Sequence, residues 1–408
     1  MATTLEDARA LDEQDPLAGF RERFVSPADA GIVAYLDGNS LGRPPKATLA
    51  RLASLVRDEW GTGLIRSWSA RWMELPERIG DRLGEAALGA AAGQVIVADS
   101  TSVCLYKLLR AAVALRPGRT EFVTDRNNFP TDNYVVQGIA DELGLDVRWI
   151  DSDPDGGVTA EQLAAELSDR TAVVTLSHIA YRSAYLADMP ALTALAHEHG
   201  ALVVWDLCHS VGSIPVHLDA AGADFAVGCT YKFLNAGPGA PAFLYVREEH
   251  QETFRQPVWG WMGGASPFDM EHAYTPAPGV RRALSGTPPI TGVVGVEEGV
   301  ALVAEAGIDR IRAKAVALTE MVTALAEDWL VPLGMRIASP RNAEQRGAHV
   351  TIARSDAAEL SRRLIEAGVI IDFRPPDGIR IGLSPLTTGF AETWRAMDVI
   401  RAHSTAQR

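Results

Sequence analysis

Residues 228–246 read GCTYKFLNAGPGAPAFLYV and set Lys232 between two aromatics, after one apolar run and ahead of a glycine-rich loop. Lysine is rarely buried without a reason. Its chemical use in such a place is as an amine nucleophile that loses its proton and forms a Schiff base with a carbonyl. Taken alone, a lysine at a strand end is more often a surface group whose stem snorkels along apolar neighbours. Asp206 and His209 stand 26 and 23 residues upstream in VVWDLCHS, with Asp206 at the end of an apolar run. In parallel α/β sheets, ligands gather beyond the carboxyl ends of strands. A carboxylate there can pair with a protonated pyridine nitrogen such as that of pyridoxal phosphate (PLP). Asp206 alone reads equally well as a turn cap, and His209 as a hydrogen-bonded structural residue. ADSTSV (98–103) offers Ser100, Thr101 and Ser102 at the start of a helical pattern. Free N–H groups there favour an anion, although plain N-capping uses the same residues. NNFPTD (127–132) adds Phe129, able to stack on a ring, with Thr131 and Asp132 close behind.

These residues need a frame that brings strand ends together. From QVIVAD (94–99) onward, short apolar runs alternate with helical patterns. EFVTD (121–125), DVRWID (146–151), TAVVTLSH (171–178) and ALVVWDLC (201–208) are separated by helix-like stretches. Nearly continuous apolar character is expected of strands buried on both faces. The repetition predicts an α/β fold with a mostly parallel sheet flanked by helices. After about residue 285 the pattern changes. A long helical stretch (308–330), then GAHVTIA, DAAELSRRLIEAG, VIIDF, IRIGLS and a last helix FAETWRAMDVIRAH predict a smaller α+β C-terminal domain. The Pro/Gly-rich segment 275–290 reads as a structured connector. The expected division is an N-terminal segment 1–45 that contributes to the active site and the small domain, a large domain 46–285 and a small domain 286–408.

The 408 residues are 47% hydrophobic and 22% charged, with formal net charge −14 and no basic cluster. That composition suits a soluble globular protein and disfavours nucleic acid and anionic membranes as partners. No apolar stretch approaches the roughly 20 residues that cross a bilayer. Cys104, Cys208 and Cys229 lie far apart in apolar segments without metal-site spacing. They read as reduced core thiols of a cytoplasmic protein, and no metal is expected.

In chain order, the anion-binding turn, the aromatic, the aspartate after a strand and the lysine before a glycine loop resemble the fold-type I PLP enzymes, in particular the class V aminotransferase group. YLDGNSLGRPP (35–45), WGTGLIRSW (60–68), FPTD (129–132), DLCHS (206–210), TYKFLNAGPG (230–239), GWMG (260–263), SGTPP (285–289) and DGIRIGLSPL (377–386) further resemble the kynureninases, over almost the whole chain. The resemblance implies cleavage of the Cβ–Cγ bond of L-kynurenine or 3-hydroxykynurenine to anthranilate or 3-hydroxyanthranilate and L-alanine, in tryptophan catabolism. It implies that Lys232 bonds PLP, that Thr101 and Ser102 hold its phosphate and that Phe129 stacks on its ring. Thr131, Asp132, Ser177, Asp206 and His209 would line the cofactor, with Asp206 on the ring nitrogen. Tyr231 would serve the phosphate, proton transfer, or both. Trp261 and Thr287 would complete the cofactor site across a homodimer interface. Arg380 would clamp the substrate carboxylate, a bidentate task suited to guanidinium, and Asn39, Ser40 and Trp68 would border the substrate.

Two departures bear on the aryl substrate. Gly264 follows GWMG where the kynureninases commonly carry histidine, and Ala184 stands in YRSAYLADM where glycine is usual. A paralogue acting on a ring-substituted kynurenine in secondary metabolism is one alternative. A cysteine desulfurase-like enzyme of the same fold is another, disfavoured because all three cysteines sit in apolar segments. A PLP-binding regulatory protein without turnover is a third, disfavoured by the joint presence of Lys232, Asp206 and Arg380.

Overall fold

The structure, a computed structural model, describes residues 4–26, 31–270 and 272–405. Its strands are β1 (Ala34–Tyr35), β2 (Val95–Ala98), β3 (Glu121–Asp125), β4 (Asp146–Ile150), β5 (Thr171–Ser177), β6 (Leu202–Asp206), β7 (Phe225–Gly228), β8 (Ala242–Val246), β9 (Arg336–Ile337), β10 (His349–Ala353), β11 (Val369–Ile370), β12 (Asp372–Arg374) and β13 (Gly378–Gly382). A seven-stranded sheet has the order β2-β8-β7-β6-β5-β3-β4. Strands β3 to β7 run parallel, and β8 alone is antiparallel to both of its neighbours.

Strand residues alternate between the two faces, so a continuous apolar strand feeds two cores. Ile96, Phe122, Val173, Val204 and Val227 face the helices Thr101–Ala114 and Pro130–Leu143. Val97, Val123, Val174, Val203 and Ala226 face the helices Met189–Glu198 and Ile290–Ala306. The last of these follows the Pro/Gly-rich segment yet belongs to the core of the large sheet, through Val293, Val296, Val300 and Val303. All five strand expectations from residue 94 to 208 fall within a residue or two of the observed spans, and four of those strands are buried throughout or nearly so, which gives them a strong apolar signal.

The second sheet is four-stranded, in the order β12-β13-β10-β9, and antiparallel. Here the alternation is polar and apolar. Val350, Ile352, Ile379 and Ile381 pack on the helices Ile308–Leu325, Ala357–Glu366 and Phe390–Thr405. The opposite face carries His349, Thr351, Asp372, Arg374 and Arg380, by the pairings His349 with Gly382, Thr351 with Arg380 and Asp372 with Arg380. The VIIDF run is not one strand: β11 pairs with β1, while β12 pairs with β13. Ile371 between them is buried in the small core and lets the chain change sheets.

The N-terminal segment belongs with this second unit. Ala8 of the helix Leu5–Gln14 lies in its core. Asp12 accepts from the Phe390 and Ala391 amides at 2.9 and 3.1 Å and so caps the C-terminal helix. The segment then passes between the two units. Gly38 packs on Ser384, Asn39 on Gly382, and Gly42 on the backbone of Lys232 and Asn235, positions where a Cβ would clash. GNSLG is therefore a strap whose glycines allow close backbone approach.

Candidate active site

The carboxyl ends of β5 and β6 lie side by side, with Ser177 in register with Asp206. Next to them β7 ends at Gly228, and the chain turns through Tyr231 and Lys232 before β8 returns it. Parallel register thus sets Asp206, Ser177 and Lys232 at one end of the sheet. A cavity of about 190 Å³ opens there, lined by Thr101, Ser102, Phe129, Thr131, Asp132, Asp206, Cys208, His209, Tyr231 and Lys232.

Each wall has its own character. The Thr101–Ala114 helix points its N-terminus at the cavity, and the Ser100 side chain at its N-cap makes no capping hydrogen bond. Plain capping is therefore not the use of this turn, and its N–H groups stay available to an anion. On the floor, the Asp206 carboxylate accepts from the Cys208 amide at 2.8 Å and lies 3.1 Å from the Ser177 hydroxyl, which also lies 2.6 Å from Asn128 Oδ1. Asp132 sits beside it. Burial first, and the Asp206 charge second, push the Asp132 carboxyl well above the usual range, against the pull of Lys232. The two carboxylates thus compete for one charge, and it is Asp132 whose ionisation burial opposes.

Lys232 Nζ lies 3.0 Å from His209 Nε2. Burial, then the cationic Lys232 and Arg380, hold His209 well below the usual imidazole range, so the ring is neutral. Tyr231 is pushed up chiefly by burial, then by Cys229 and Cys208. It remains a neutral phenol, a donor rather than a base. The Phe129 ring forms an open wall and packs edge-on against Tyr181, centroids 5.5 Å apart.

Tyr181 leads to Arg380. The guanidinium is almost fully buried, donates to the Tyr181 carbonyl at 2.7 Å, and donates to Ser40 Oγ and Asp372 Oδ2 at 2.6 Å each. Arg374 joins the same Asp372 oxygen at 2.6 Å. Arg380 Nε has no partner, and neither does any polar atom of the buried Asn39 amide. Asp37 is pushed up to about 6 by burial first and by Asp372 second.

The chain brings together most residues that sequence reading proposed, but not all. Trp261 and Thr287 are exposed and lie outside the Lys232 cavity. Trp261 and Gly264 line a different cavity of about 360 Å³, with Trp259 and Tyr274. Trp68 borders a third, of about 210 Å³, with Trp60, Trp72 and Pro288. Gly264 has φ −81°, an extended conformation open to any residue, so no turn demands glycine there. Ala184 has φ +66° and is fully buried, which explains why glycine suits that position. All three cysteines are buried and free. Asp372, Arg374 and His349 escaped notice. The polar–apolar alternation of IDFR and IRIG did signal a sheet with one polar face.

The family model for class-V aminotransferases matches residues 35–373. Kynureninases of Pseudomonas fluorescens and of Burkholderia pseudomallei (strain 1106a) are each 44% identical over 405 residues, covering 98% of this chain and 95% of theirs. Among solved structures, a cysteine desulfurase from Thermococcus onnurineus NA1 is similar with TM-score 0.81 at 19% identity, covering 94% of this chain and 97% of its own. A variant of C-DES with glycine covalently linked to its PLP cofactor is similar with TM-score 0.82 at 18% identity, covering 93% and 98%. At such identities these two structures speak for the fold alone.

Proposed function

The chain belongs to the class-V aminotransferase family, and within it to the kynureninases, and on that premise we propose how its side chains carry the reaction. It is a PLP-dependent enzyme that cleaves kynurenine. The donors of the Lys232 cavity fit that cofactor: an amine for its aldehyde carbon, an uncapped helix N-terminus for its phosphate, a carboxylate for its ring nitrogen and an aromatic face. When bound, PLP supplies an electron sink for the negative charge left at Cα.

Thr101 and Ser102 would hold the phosphate, and Phe129 would stack on the ring. Asp206 would keep a proton on the ring nitrogen, while Thr131, Asp132, Ser177 and His209 would complete the ring's surroundings. Arg380 receives the substrate carboxylate through its unpartnered Nε edge, bordered by Asn39 and Ser40. Lys232, which would hold PLP at rest, would take the Cα proton as a free amine, and His209 Nε2, 3.0 Å from its Nζ, would accept a hydrogen bond from it. Tyr231 donates to the γ-carbonyl oxygen as water adds there. The Cβ–Cγ bond then breaks, leaving anthranilate, and the three-carbon unit takes up protons and departs as alanine.

The observation that carries this reading is the meeting of Lys232, Asp206 and the uncapped helix at one cavity. The homodimer is part of the proposal. Trp68, Trp261 and Thr287 lie away from their own Lys232 cavity, and exposed Trp259, Phe268 and Met270 surround Trp261 with apolar surface that a second copy would cover. We place these residues at the partner's site. No helix among the described residues is long and apolar enough to cross a membrane. With the acidic charge, this supports a cytoplasmic enzyme whose partners are an amino-acid substrate and its own second copy. We keep the boundary at residue 45, but the helix Ile290–Ala306 packs in the core of the large sheet, so we propose that the small domain begins with the helix Ile308–Leu325 rather than at 286. The test is incubation with kynurenine and with 3-hydroxykynurenine, reading anthranilate and 3-hydroxyanthranilate fluorescence. Release of neither by protein carrying PLP on Lys232 refutes the reaction.

A further inference from the structure

His349 opens β10 on the polar face of the small sheet, opposite Gly382 and on the same side as Arg380. It is fully buried; the Arg182 backbone carbonyl is its one hydrogen-bond acceptor, and its ring makes no other close polar contact. Its ring lies 5.5 Å from that of His209, centroid to centroid, tilted by 56°. His209 in turn meets Lys232 at 3.0 Å through Nε2, and its own Nδ1 is buried without a partner. Two buried imidazoles therefore adjoin, and beyond the Lys232 contact of His209 and the Arg182 backbone contact of His349 each has one nitrogen left over. A buried polar group left unpaired is destabilising, so two at one spot call for a use.

A neutral imidazole has one donor and one acceptor nitrogen. If His209 Nε2 is to accept from Lys232, its Nδ1 must carry the proton, and that N–H needs an acceptor. His349 is the adjacent group able to supply one. The charged groups that face the pair are Lys232, Arg380 and Arg374, with Asp372 opposing them. Burial first, then Arg380 and more weakly Lys232, keep His349 well below the usual imidazole range, against Asp372 and the Arg182 backbone. A neutral His349 keeps an acceptor nitrogen.

We propose that His349 is a positioning residue for catalysis: it takes the Nδ1 proton side of His209, fixes that tautomer and turns His209 Nε2 toward the amine of Lys232. The two rings make no hydrogen bond to each other as they stand, so they must turn toward each other for the contact to form. The inference rests on the reading of Lys232 as the group that moves the Cα proton. It makes His349 matter to proton transfer and not to substrate affinity.

The test uses the holoenzyme and the variants His349→Phe, which keeps a flat ring without nitrogen, and His349→Gln, which keeps a donor and an acceptor. In His349→Phe the pH midpoint of the visible absorbance of the lysine-bound cofactor, read without substrate, shifts by about one unit. Its kcat falls about ten-fold with KM nearly unchanged, as when the partner of a working imidazole is removed. His349→Gln restores most of both. Wild-type behaviour in His349→Phe, or a His349→Gln variant as impaired as the Phe variant, overturns the proposal. Should His349→Phe not fold, the tautomer of His209 in the wild-type protein decides: ¹⁵N-histidine spectra must show Nδ1–H, and Nε2–H overturns the proposal. A wild-type enzyme inert toward kynurenine would refute the reaction instead, and the tautomer of His209 would still decide the role of His349.

Discussion

Replacing Gly42 by alanine should cost activity out of proportion to the size of a methyl group. The added Cβ would lie 2.3 Å from the Lys232 carbonyl oxygen, 2.4 Å from Asn235 Oδ1 and 2.8 Å from Asn235 Cα. Comfortable contacts between such atoms begin near 3.5 Å, so the overlap is about 1 Å. The Asn235 amide can swing aside, but two of the three atoms are backbone. They belong to a loop already held in place: the Gly42 amide donates to the Tyr231 carbonyl at 2.8 Å, and buried Asn235 has φ +56°. The loop must therefore move, and Lys232 with it. Overpacking of this kind costs about 1–3 kcal/mol, which leaves a chain of this size folded. A 1 Å misplacement of a reacting group costs roughly 10²-fold in rate. Gly42→Ala should thus melt a few degrees early, still bind PLP and show kcat lowered about 10²-fold, measured as anthranilate release. Gly138→Ala is the control, since a Cβ there meets nothing within 4 Å and the residue lies inside a helix. A folded Gly42→Ala enzyme with kcat within about three-fold of wild type would refute the claim that the GNSLG strap positions the lysine.

Ala184→Gly should be close to neutral in stability: relief of about 1–2 kcal/mol of left-handed strain offsets a lost buried methyl and a freer unfolded chain. Ala111→Gly, buried in the Thr101–Ala114 helix, should cost about 1 kcal/mol or more, and equal losses in thermal melts would refute the strain argument. Burial pushes Asp224 up, but bonds from His197 and His250 at 2.8 and 2.7 Å win and lower it to about 2. A depressed carboxyl stabilises above its unfolded value and loses that as pH falls through its folded one, so the advantage of wild type over Asp224→Asn, on the order of 2 kcal/mol, should close between about pH 4 and pH 2. A gap in melting temperature that persists unchanged at pH 2 contradicts this. Mixing Lys232→Ala with Thr287→Ala should restore activity at one of the two sites of a hybrid dimer, if Thr287 serves the partner; no recovery after proven subunit exchange counts against a shared site. Gly264→His should change the ratio of kcat/KM for 3-hydroxykynurenine over kynurenine, because an added imidazole can bond a hydroxyl; an unchanged ratio in folded protein removes Gly264 from specificity.

What could be read from the sequence follows from where each signal is generated. The large sheet was legible because β3, β5 and β6 are apolar on both faces, and EFVTD coincides with its strand. Asp206 was legible because it ends such a strand, and strand ends of a parallel sheet converge in register whatever the loops do. Lys232 follows from the same convergence one strand further on. Arg380 was reached only by resemblance, since a lone arginine in IRIG states nothing about its surroundings. The structure supplies them: Asp372 from the neighbouring strand, Ser40 from the N-terminal strap, and the Tyr181 carbonyl from the large unit. Three distant segments meet at that guanidinium, and no local pattern encodes their meeting.

The same reasoning explains why His349 was missed. In HVTIA it reads as the first residue of a half-buried strand, and histidine there is as acceptable as any polar residue. Its meaning comes from the pairing of β10 with β13, which sets it opposite Gly382, and from the packing of that sheet's polar face against His209. Sheet pairing and the strap of residues 37–42 are non-local facts. Glycines of that strap and of its contacts carry a sequence trace of it, because Gly38 and Gly42 of the strap and Gly382 of β13 each stand where a Cβ would strike another segment. An active site assembled between two units is thus written in the sequence as missing side chains at the seam, and the polar groups that work there become visible only when the seam is closed.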